Sequence, residues 1–320
     1  MEEMNELTAE ERARILQHEL EAVYGSSSYK IGRAVTWLPR HAKKALAYLA
    51  HNGPAISAKY LYTYAKYHKV ANKEYAYWAC LQKKDYPEAL KKWFLEMNYT
   101  HQPLDLEHPK TFSEKTQWLK LYGHLDEQRD LVDKYKVRDW IREKVGEEYL
   151  IPLLGVWDSF DEIDFDKLPD RFVLKTNHGA GWNYIVQDKS KLDKADAKAK
   201  FDLWTKLNFT YYQGGLELQY EHIQPKIIAE QFIENDGGDL YDYKLCCFDG
   251  EPKVIIYIMN RYVDADERII CFDTDWNVLP FNLFTPLEQP DDIPRPKNLE
   301  KMVEVARTLS QGIPFVRVDL

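Results

Sequence analysis

The segment RFVLKTNHGAGWNYIVQD, residues 171–188, decides the fold prediction for this chain. Two short apolar runs flank a tip that contains glycines, a pattern typical of a β-hairpin. Lys175 ends the first run, where a buried charge is costly unless another group pairs with it. The small residues Gly179, Ala180 and Gly181 let backbone N–H groups approach an anion closely. The segment therefore predicts a phosphate-binding hairpin, and the alternative is a plain hairpin whose lysine reaches water.

Helical and strand patterns surround this hairpin. Thr111 followed by Glu114 is a capping-box pattern, and Gly146 and Gly312 mark helix ends. The predicted helices cover residues 86–99, 111–124, 130–146, 192–209 and 298–312. The further predicted strands and hairpins cover residues 225–234, 242–261, 268–280 and 314–320. Helices come first and antiparallel strands with interspersed helices follow, so the predicted class is α+β, with mixed antiparallel sheets and flanking helices.

We predict three regions along the chain. Residues 1–85 form a helical N-terminal region, residues 86–150 a helical segment, and residues 151–320 the part that contains the hairpin and the other strands. Within the first region, residues 29–44 combine Trp37 with basic side chains and contain no acid. These basic residues are Lys30, Arg33, Arg40, Lys43 and Lys44. One interpretation is a peripheral contact with anionic membrane headgroups, and the other is a solvated helix face plus a linker.

Composition limits the function classes that fit. The net charge of −9 argues against a nucleic-acid partner, because phosphate contacts need a concentrated basic face. No apolar run approaches the roughly 20 residues that span a bilayer, and the N-terminus lacks the pattern of a signal peptide. The four cysteines show no CxxC spacing, which favours reduced thiols. We therefore expect a cytoplasmic protein, located at the inner face of the membrane if residues 29–44 bind lipid.

A second candidate binding motif is PKIIAEQFIEN, residues 225–235. Its apolar run predicts a strand that leads into a loop through Glu230. Backbone N–H and C=O groups at such a junction suit the edge of an adenine, and apolar side chains suit its faces. Asp242 follows soon after and suits ribose hydroxyls. The alternative is an ordinary buried strand.

Two pairs of charged residues complete the candidate groups. Lys134 and Arg138 lie one turn apart in a predicted helix, where the alternative is a solvated helix face. Arg317 and Asp319 alternate along the predicted last strand, so their side chains share one face. An acid and a base on a half-buried face need each other or a charged ligand. Mg²⁺ with phosphates would satisfy both.

In their order along the chain, these motifs resemble the TupA-like ATP-grasp family of bacterial surface-polysaccharide loci. The resemblance covers about residues 86–320, and it is carried by the segments at residues 108–123, 133–183, 227–253 and 314–320. The segment SSSYKIGRAVTWLPR, residues 26–40, is similar to tails that follow coiled coils in bacterial polysaccharide glycosyltransferases.

The resemblance implies an ATP-grasp fold and a role for each matching residue. Arg317 and Lys175 would act on the transferred phosphoryl group, and Asp319 would bind Mg²⁺. Gly179, Ala180 and Gly181 would form a flexible loop over the ATP phosphates. The other implied ATP-binding residues are Lys134 and Lys175 for the phosphates, Glu230 and Ile233 for the adenine, and Asp242 and Lys244 nearby, with Asp242 on the ribose.

The implied reaction is ligation through an acyl phosphate, which an amine then converts to an amide. The implied substrates are an amino acid and the uronic-acid carboxylate of a capsule or teichuronic-type polymer, and other polysaccharide-biosynthesis proteins are implied partners. The family pattern continues with a Glu and an Asn on a further strand, which this sequence does not contain. We expect a truncated copy, and the alternative is a natural short form that catalyses little.

Two other functions compete with this interpretation. Residues 273–275, Asp-Thr-Asp, match the DxD pattern with which glycosyltransferases of surface-polysaccharide assembly hold a metal-bound nucleotide sugar. The simpler explanation is a turn, where aspartate is common. The second competing function is a non-catalytic scaffold that binds nucleotide without turnover.

Overall fold

The computed structural model describes residues 75, 78–79, 81–97, 102–212, 215–233, 241–259, 268–282 and 293–320. The predicted membrane-contact segment at residues 29–44 lies outside these ranges, as does most of the predicted helical region 1–85. The chain forms two compact units, each assembled from separate stretches of sequence. The first comprises the described residues up to Val137 together with Leu153–Glu230, and the second comprises Arg138–Pro152 together with Gln231–Leu320.

Helices open the described part of the first unit. They are α1 (Tyr86–Met97), α2 (Phe112–Tyr122) and the short α3 (Arg129–Val132). The predicted capping box of α2 is confirmed: Glu114 N donates to Thr111 Oγ1 at 3.2 Å, and Thr111 N donates to Glu114 Oε2 at 2.8 Å. Leu90 and Phe94 of α1 are buried in one apolar cluster.

A four-stranded sheet forms the centre of the first unit. Its strands are β1 (Leu153–Trp157), β2 (Phe172–Thr176), β3 (Asn183–Val186) and β4 (Ile227–Gln231), in the order β1-β4-β2-β3. The predicted hairpin at residues 171–188 is confirmed, since β2 and β3 pair antiparallel with Lys175 opposite Asn183. Helix α5 (Lys194–Trp204) contributes Phe201 to the core against Phe172 and Leu174. Full burial of each such side chain contributes about 1.5–3 kcal/mol.

The second unit contains the other sheet. Its strands are β5 (Asp242–Phe248), β6 (Glu251–Met259), β7 (Arg268–Phe272) and β8 (Phe315–Asp319), and its helices are α4 (Val137–Lys144) and α6 (Leu299–Ser310). The strand order is β7-β6-β5-β8, and every neighbouring pair is antiparallel. Alternate β5 residues Leu245 and Cys247 pack against Leu299 and Ala306 of α6. The predicted α+β class is therefore confirmed.

The prediction of one helix over residues 130–146 is wrong. The chain forms α3 and α4 with a turn between them, because the Asp133 side chain caps the intervening backbone. Asp133 Oδ1 accepts hydrogen bonds from Tyr135 N at 2.9 Å and from Lys136 N at 3.2 Å. Such local bonds compete with helical hydrogen bonding. Lys134 therefore lies in a turn and not in a helix. Arg138 is buried and donates to Ile151 O, so it does not belong to a solvated helix face.

None of the helices in the described part of the chain combines the length and the apolar character needed to cross a bilayer.

Candidate functional site

The β2–β3 hairpin places Lys175 beside an acid on the neighbouring strand β4. Lys175 Nζ donates to Glu230 Oε2 at 2.5 Å. The Lys175 side chain is 25% exposed and that of Glu230 only 9%, so the pair is largely shielded from water. Each charge offsets the desolvation of the other, which explains how the strand tolerates both.

The tip of the hairpin requires glycine in its backbone geometry. Gly179 has φ +87° and Gly181 has φ +72°, both in the left-handed region. A Cβ on Gly179 would come within 2.7 Å of the Phe209 ring and 2.8 Å of the Trp182 ring, whereas one on Gly181 would meet nothing within 4 Å. Ala180 and Gly181 are exposed. The tip is therefore anchored on one side and open to solvent on the other.

His178 supports the closed side of the tip. Its side chain is buried, and its Nε2 lies 3.1 Å from the carbonyl oxygen of Leu207. The His178 and Trp182 rings meet edge to face with 5.2 Å between centroids. Burial lowers the pKa of this histidine, which favours a neutral ring with a structural role.

Lys134 contacts the same tip from the turn that precedes α4. Its Nζ donates to the carbonyl oxygen of Gly179, and its backbone N donates to Asn177 O at 2.8 Å. Burial and the nearby Lys175 charge lower the pKa of Lys134 to about 8, while Glu230 and Asp133 partly offset this. Anionic oxygens near the tip would stabilise its charged form. Lys134 and Gly179 are 45 residues apart in sequence, and their contact brings Lys134 to the tip. Two lysines together with a glycine tip suit a polyphosphate.

Asn177 joins the three segments that form this site, and the sequence did not single it out. Its side-chain amide donates to Asp133 Oδ2 and to Gln224 O, both at 3.0 Å, and its Oδ1 accepts from Lys226 N at 2.6 Å. The residue is 1% exposed. Asn177 therefore fixes the Lys134 turn, the glycine tip and the approach to β4 relative to one another. The available signal was Asp133 directly before Lys134 and Asn177 two positions after Lys175, but aspartate and asparagine are also ordinary turn residues.

The predicted adenine junction lies where β4 ends. Gln231 N, at the last position of the strand, donates to Pro152 O at 3.0 Å. Ile233 follows the strand and is 43% exposed. The predicted strand leading into a loop is confirmed for residues 225–233, the part of this segment that the structure describes. The contact of Glu230 and Ile233 with adenine stays a prediction.

A second cluster of the predicted site residues lies on β5 and β8 in the second unit. Lys244 is paired in register with Asp319, and its Nζ lies 3.0 Å from Asp319 Oδ2 and 3.5 Å from Asp242 Oδ2. Arg317 binds Asp319 through two parallel hydrogen bonds of 2.7 and 2.9 Å. The expected half-buried face is observed, since the side chains of Arg317 and Asp319 are 50% and 43% exposed.

The charges on this face act on the Asp319 carboxyl group. Although burial opposes the effect, Arg317 and Lys244 hold its pKa below the usual range. Carboxylate oxygens are the ligands that Mg²⁺ prefers, so Asp319 and Asp242 have the right chemistry. Across the described ranges, no three or more His, Cys, Asp or Glu side chains are grouped so that they could hold a metal ion. The metal-binding role of Asp319 stays a prediction.

The DxD segment forms the turn after β7. Asp273 Oδ1 accepts from Asp275 N at 2.9 Å and from Asn277 N at 2.8 Å, and Oδ2 accepts from Asn277 Nδ2 at 2.9 Å. These bonds use both carboxylate oxygens of Asp273 within its own turn. Formation of this turn therefore explains the Asp-Thr-Asp sequence.

Comparison with known proteins agrees with this arrangement of motifs. The family model described as TupA-like ATPgrasp matches residues 114–320. Among curated proteins, no match to the chain was found.

A solved structure also matches. It is described as "Structure of ATP-grasp ligase PsnB complexed with minimal precursor, Mg, and ADP", and its sequence is 12% identical to this chain. The match covers 75% of this chain and 61% of that one, with a TM-score of 0.31. The chain therefore spans about three-fifths of the length of that protein.

Proposed function

Because this chain belongs to the TupA-like ATP-grasp family, we propose that it is an ATP-dependent ligase that joins a carboxylate to an amine. The observation that carries the proposal is the convergence of Lys134 and Lys175 on one hairpin. Lys134 binds the Gly179 carbonyl at the tip, and Lys175 at the end of β2 binds Glu230 and is close enough to act on the charge of Lys134.

The residues of the first unit fit the phosphates of ATP. Lys134 and Lys175 supply positive charge, and the exposed backbone at Ala180 and Gly181 lets N–H groups approach an anion closely. The lowered pKa of Lys134 indicates a desolvated ammonium, which anionic phosphate oxygens would stabilise. In this proposal Asn177 is a positioning residue, because it holds the Lys134 turn against the tip.

The proposed reaction has two steps. An oxygen of the substrate carboxylate attacks the γ-phosphorus of ATP, the bond to the β-phosphate oxygen breaks, and ADP leaves with an acyl phosphate formed. The amine nitrogen then attacks the acyl carbon, phosphate leaves, and the nitrogen loses a proton as the amide forms. Lys134 and Lys175 would stabilise the negative charge on the phosphoryl oxygens, which requires positioning and no side-chain nucleophile.

In the second unit, Asp319 and Asp242 supply the carboxylate oxygens that would hold Mg²⁺, whose charge would neutralise phosphate oxygens. Arg317 already binds the Asp319 carboxylate in two places. In the proposal, Arg317 orients this carboxylate and contacts the transferred phosphoryl group.

For the substrates, we propose an amino acid as the amine and a uronic-acid carboxylate of a bacterial surface polysaccharide as the acceptor. The resemblance of the motif set at residues 108–123, 133–183 and 227–253 to proteins of polysaccharide loci supports this assignment. Other polysaccharide-biosynthesis proteins are the proposed partners.

Isothermal titration of Mg·ATP tests the nucleotide part of the proposal. Lys175→Met alone would remove the ammonium partner of the buried Glu230 carboxylate, a change that destabilises proteins by about 3–5 kcal/mol. The informative variant is therefore Lys175→Met combined with Glu230→Gln, which keeps the pair neutral. We expect its Kd to rise at least tenfold, about 1.4 kcal/mol. Lys191→Met is the matched control, since that lysine is 82% exposed, and its Kd should equal that of the wild type.

Turnover is tested by phosphate release in the presence of ATP, D-glucuronate and a mixture of amino acids, with mass spectrometry for the amide. Phosphate release that needs both the carboxylate and the amine supports the ligase. Nucleotide binding without turnover would favour the scaffold function. Equal affinities of wild type and the double variant for Mg·ATP would remove the basis of the proposal.

A further inference from the structure

The first unit contains a cavity of about 220 Å³ that the proposed reaction does not use. It is partly open to solvent and is lined by the start of α1, the end of α2, the turn after α2 and the residues around Glu221. Its lining includes Tyr86, Lys120, Tyr122, His124, Glu221 and His222. None of the residues assigned to the phosphates, the adenine or the metal is among those that line it.

Lys120 is a partly buried basic side chain in the lining of this cavity. Its Nζ lies 5.1 Å from the centre of the Trp93 ring. Among the described residues, that ammonium makes neither a hydrogen bond nor a salt bridge. Burial lowers its pKa, and the distant charge of Glu217 offsets this only in part. Lys120 is partly buried and lies over the Trp93 ring, and an anion beside it would offset the desolvation of its ammonium group.

Two acidic side chains in the lining restrict the kind of small molecule that the cavity could bind. Glu221 Oε1 accepts a hydrogen bond from the Tyr211 hydroxyl at 2.9 Å, which holds the carboxylate in place. Asp126 also lines the cavity. Glu221 and Asp126 would accept hydrogen bonds from hydroxyl or amino groups, while Lys83, His124 and His222 also line the cavity and add basic character. A molecule with an anionic group for Lys120 and hydroxyl or amino groups for Glu221 therefore suits both sides of the cavity.

We infer that this cavity binds a small polar metabolite whose carboxylate contacts Lys120 and whose hydroxyl or amino groups contact Glu221. A water molecule occupies about 30 Å³ in the liquid, so the cavity has room for roughly seven waters or one metabolite of similar size. Sugar acids, hydroxy acids and amino acids share this chemistry. The inference does not depend on nucleotide binding, because no residue of the proposed phosphate site takes part.

Isothermal titration with D-glucuronate, L-lactate and L-alanine tests the inference, with inorganic phosphate as the competing anion. We expect at least one of the three carboxylates to bind the wild-type protein. Its Kd should rise at least tenfold in Lys120→Met, which keeps the length of the side chain and removes the charge. Lys115→Met on the same helix is the matched control, because Lys115 is exposed, and its Kd should not change. The carboxylate that binds shows whether the ligand is a sugar acid, a hydroxy acid or an amino acid.

A second measurement uses only wild-type protein, so it does not depend on how well Lys120→Met folds. Acetylation of lysines is followed by mass spectrometry with and without the bound carboxylate. Slower labelling of Lys120, with unchanged labelling of Lys115, supports the inference. No binding by any of the three carboxylates, binding that survives Lys120→Met, or phosphate binding of equal affinity would overturn it.

Discussion

Lys134 is charged at neutral pH but close to losing its proton. Its pKa is lowered from 10.5 to about 8, chiefly by burial. A lysine with a lowered pKa in the folded state costs stability while it is protonated, and this cost disappears as the pH rises from about 8 to about 10.5. Bound phosphates would act in the opposite direction, because they favour the charged form.

This behaviour predicts a pH dependence of nucleotide affinity. Above pH 8 the unbound protein holds Lys134 largely neutral, so Mg·ATP must bind together with a proton. We expect the Kd to rise roughly tenfold between pH 7.5 and 9. Titrations at pH 8.5 in two buffers of different ionisation enthalpy should reveal the proton uptake directly.

The matched comparison for this prediction is Lys134→Met. Its affinity for Mg·ATP should be weaker than that of the wild type at pH 7.5 and should change little up to pH 9. Lys191→Met should follow the wild-type curve, since Lys191 is exposed at the surface. A wild-type affinity that is constant over this range would show that Lys134 does not bind the phosphates.

At the scale of single residues, the sequence predicted the positions of charged side chains better than it predicted the groups that bind them. The strand position of Lys175 and the shared face of Arg317 and Asp319 follow from alternation, which is a local property. Asn177 and its bond to Asp133 join residues 44 positions apart, and nothing in local spacing specifies that contact. Hydrogen-bond partners distant in sequence become apparent only once the chain is folded.

The β2–β3 hairpin is the element whose geometry most constrains its sequence. Gly179 and Gly181 both have positive φ, but only Gly179 is packed against aromatic rings. Alanine at either position would have to adopt the left-handed backbone conformation, which costs about 1–2 kcal/mol. At Gly179 the added methyl group also forces Phe209 or Trp182 to move, which costs a further 1–3 kcal/mol or so.

The pair of substitutions therefore separates backbone strain from packing. We expect Gly179→Ala to lower the free energy of unfolding by about 2–5 kcal/mol and Gly181→Ala by about 1–2 kcal/mol. Urea denaturation of the two variants measures both values. Equal losses would mean that the tip adjusts to the methyl group at Gly179 without disturbing the rings.

At the scale of elements, the sequence predicted what depends on neighbouring residues. The hairpin, the capping box of α2 and the strands β4 to β8 follow from patterns within short windows. The prediction failed between α3 and α4, where the amphipathic period continues but the Asp133 side chain bonds to the backbone instead. Aspartate suits both a helix surface and a turn, and periodicity alone cannot distinguish the two.

At the scale of the whole molecule, the two compact units are each assembled from separated stretches of chain. Residues 153–230 belong to the first unit, while residues 138–152 and 231–320 belong to the second. Composition and periodicity are properties of contiguous sequence, so they do not predict that residues 138–152 join the second unit while residues 153–230 join the first. Each unit nevertheless has its own sheet and its own apolar core.

Separate cores predict separate unfolding steps in calorimetry. Leu174 in the first unit and Leu245 in the second are both fully buried, so alanine at either should cost about 2–5 kcal/mol. We expect Leu174→Ala to lower the midpoint of one transition and Leu245→Ala that of the other. A single transition that both variants lower equally would instead show that the two cores unfold as one cooperative system.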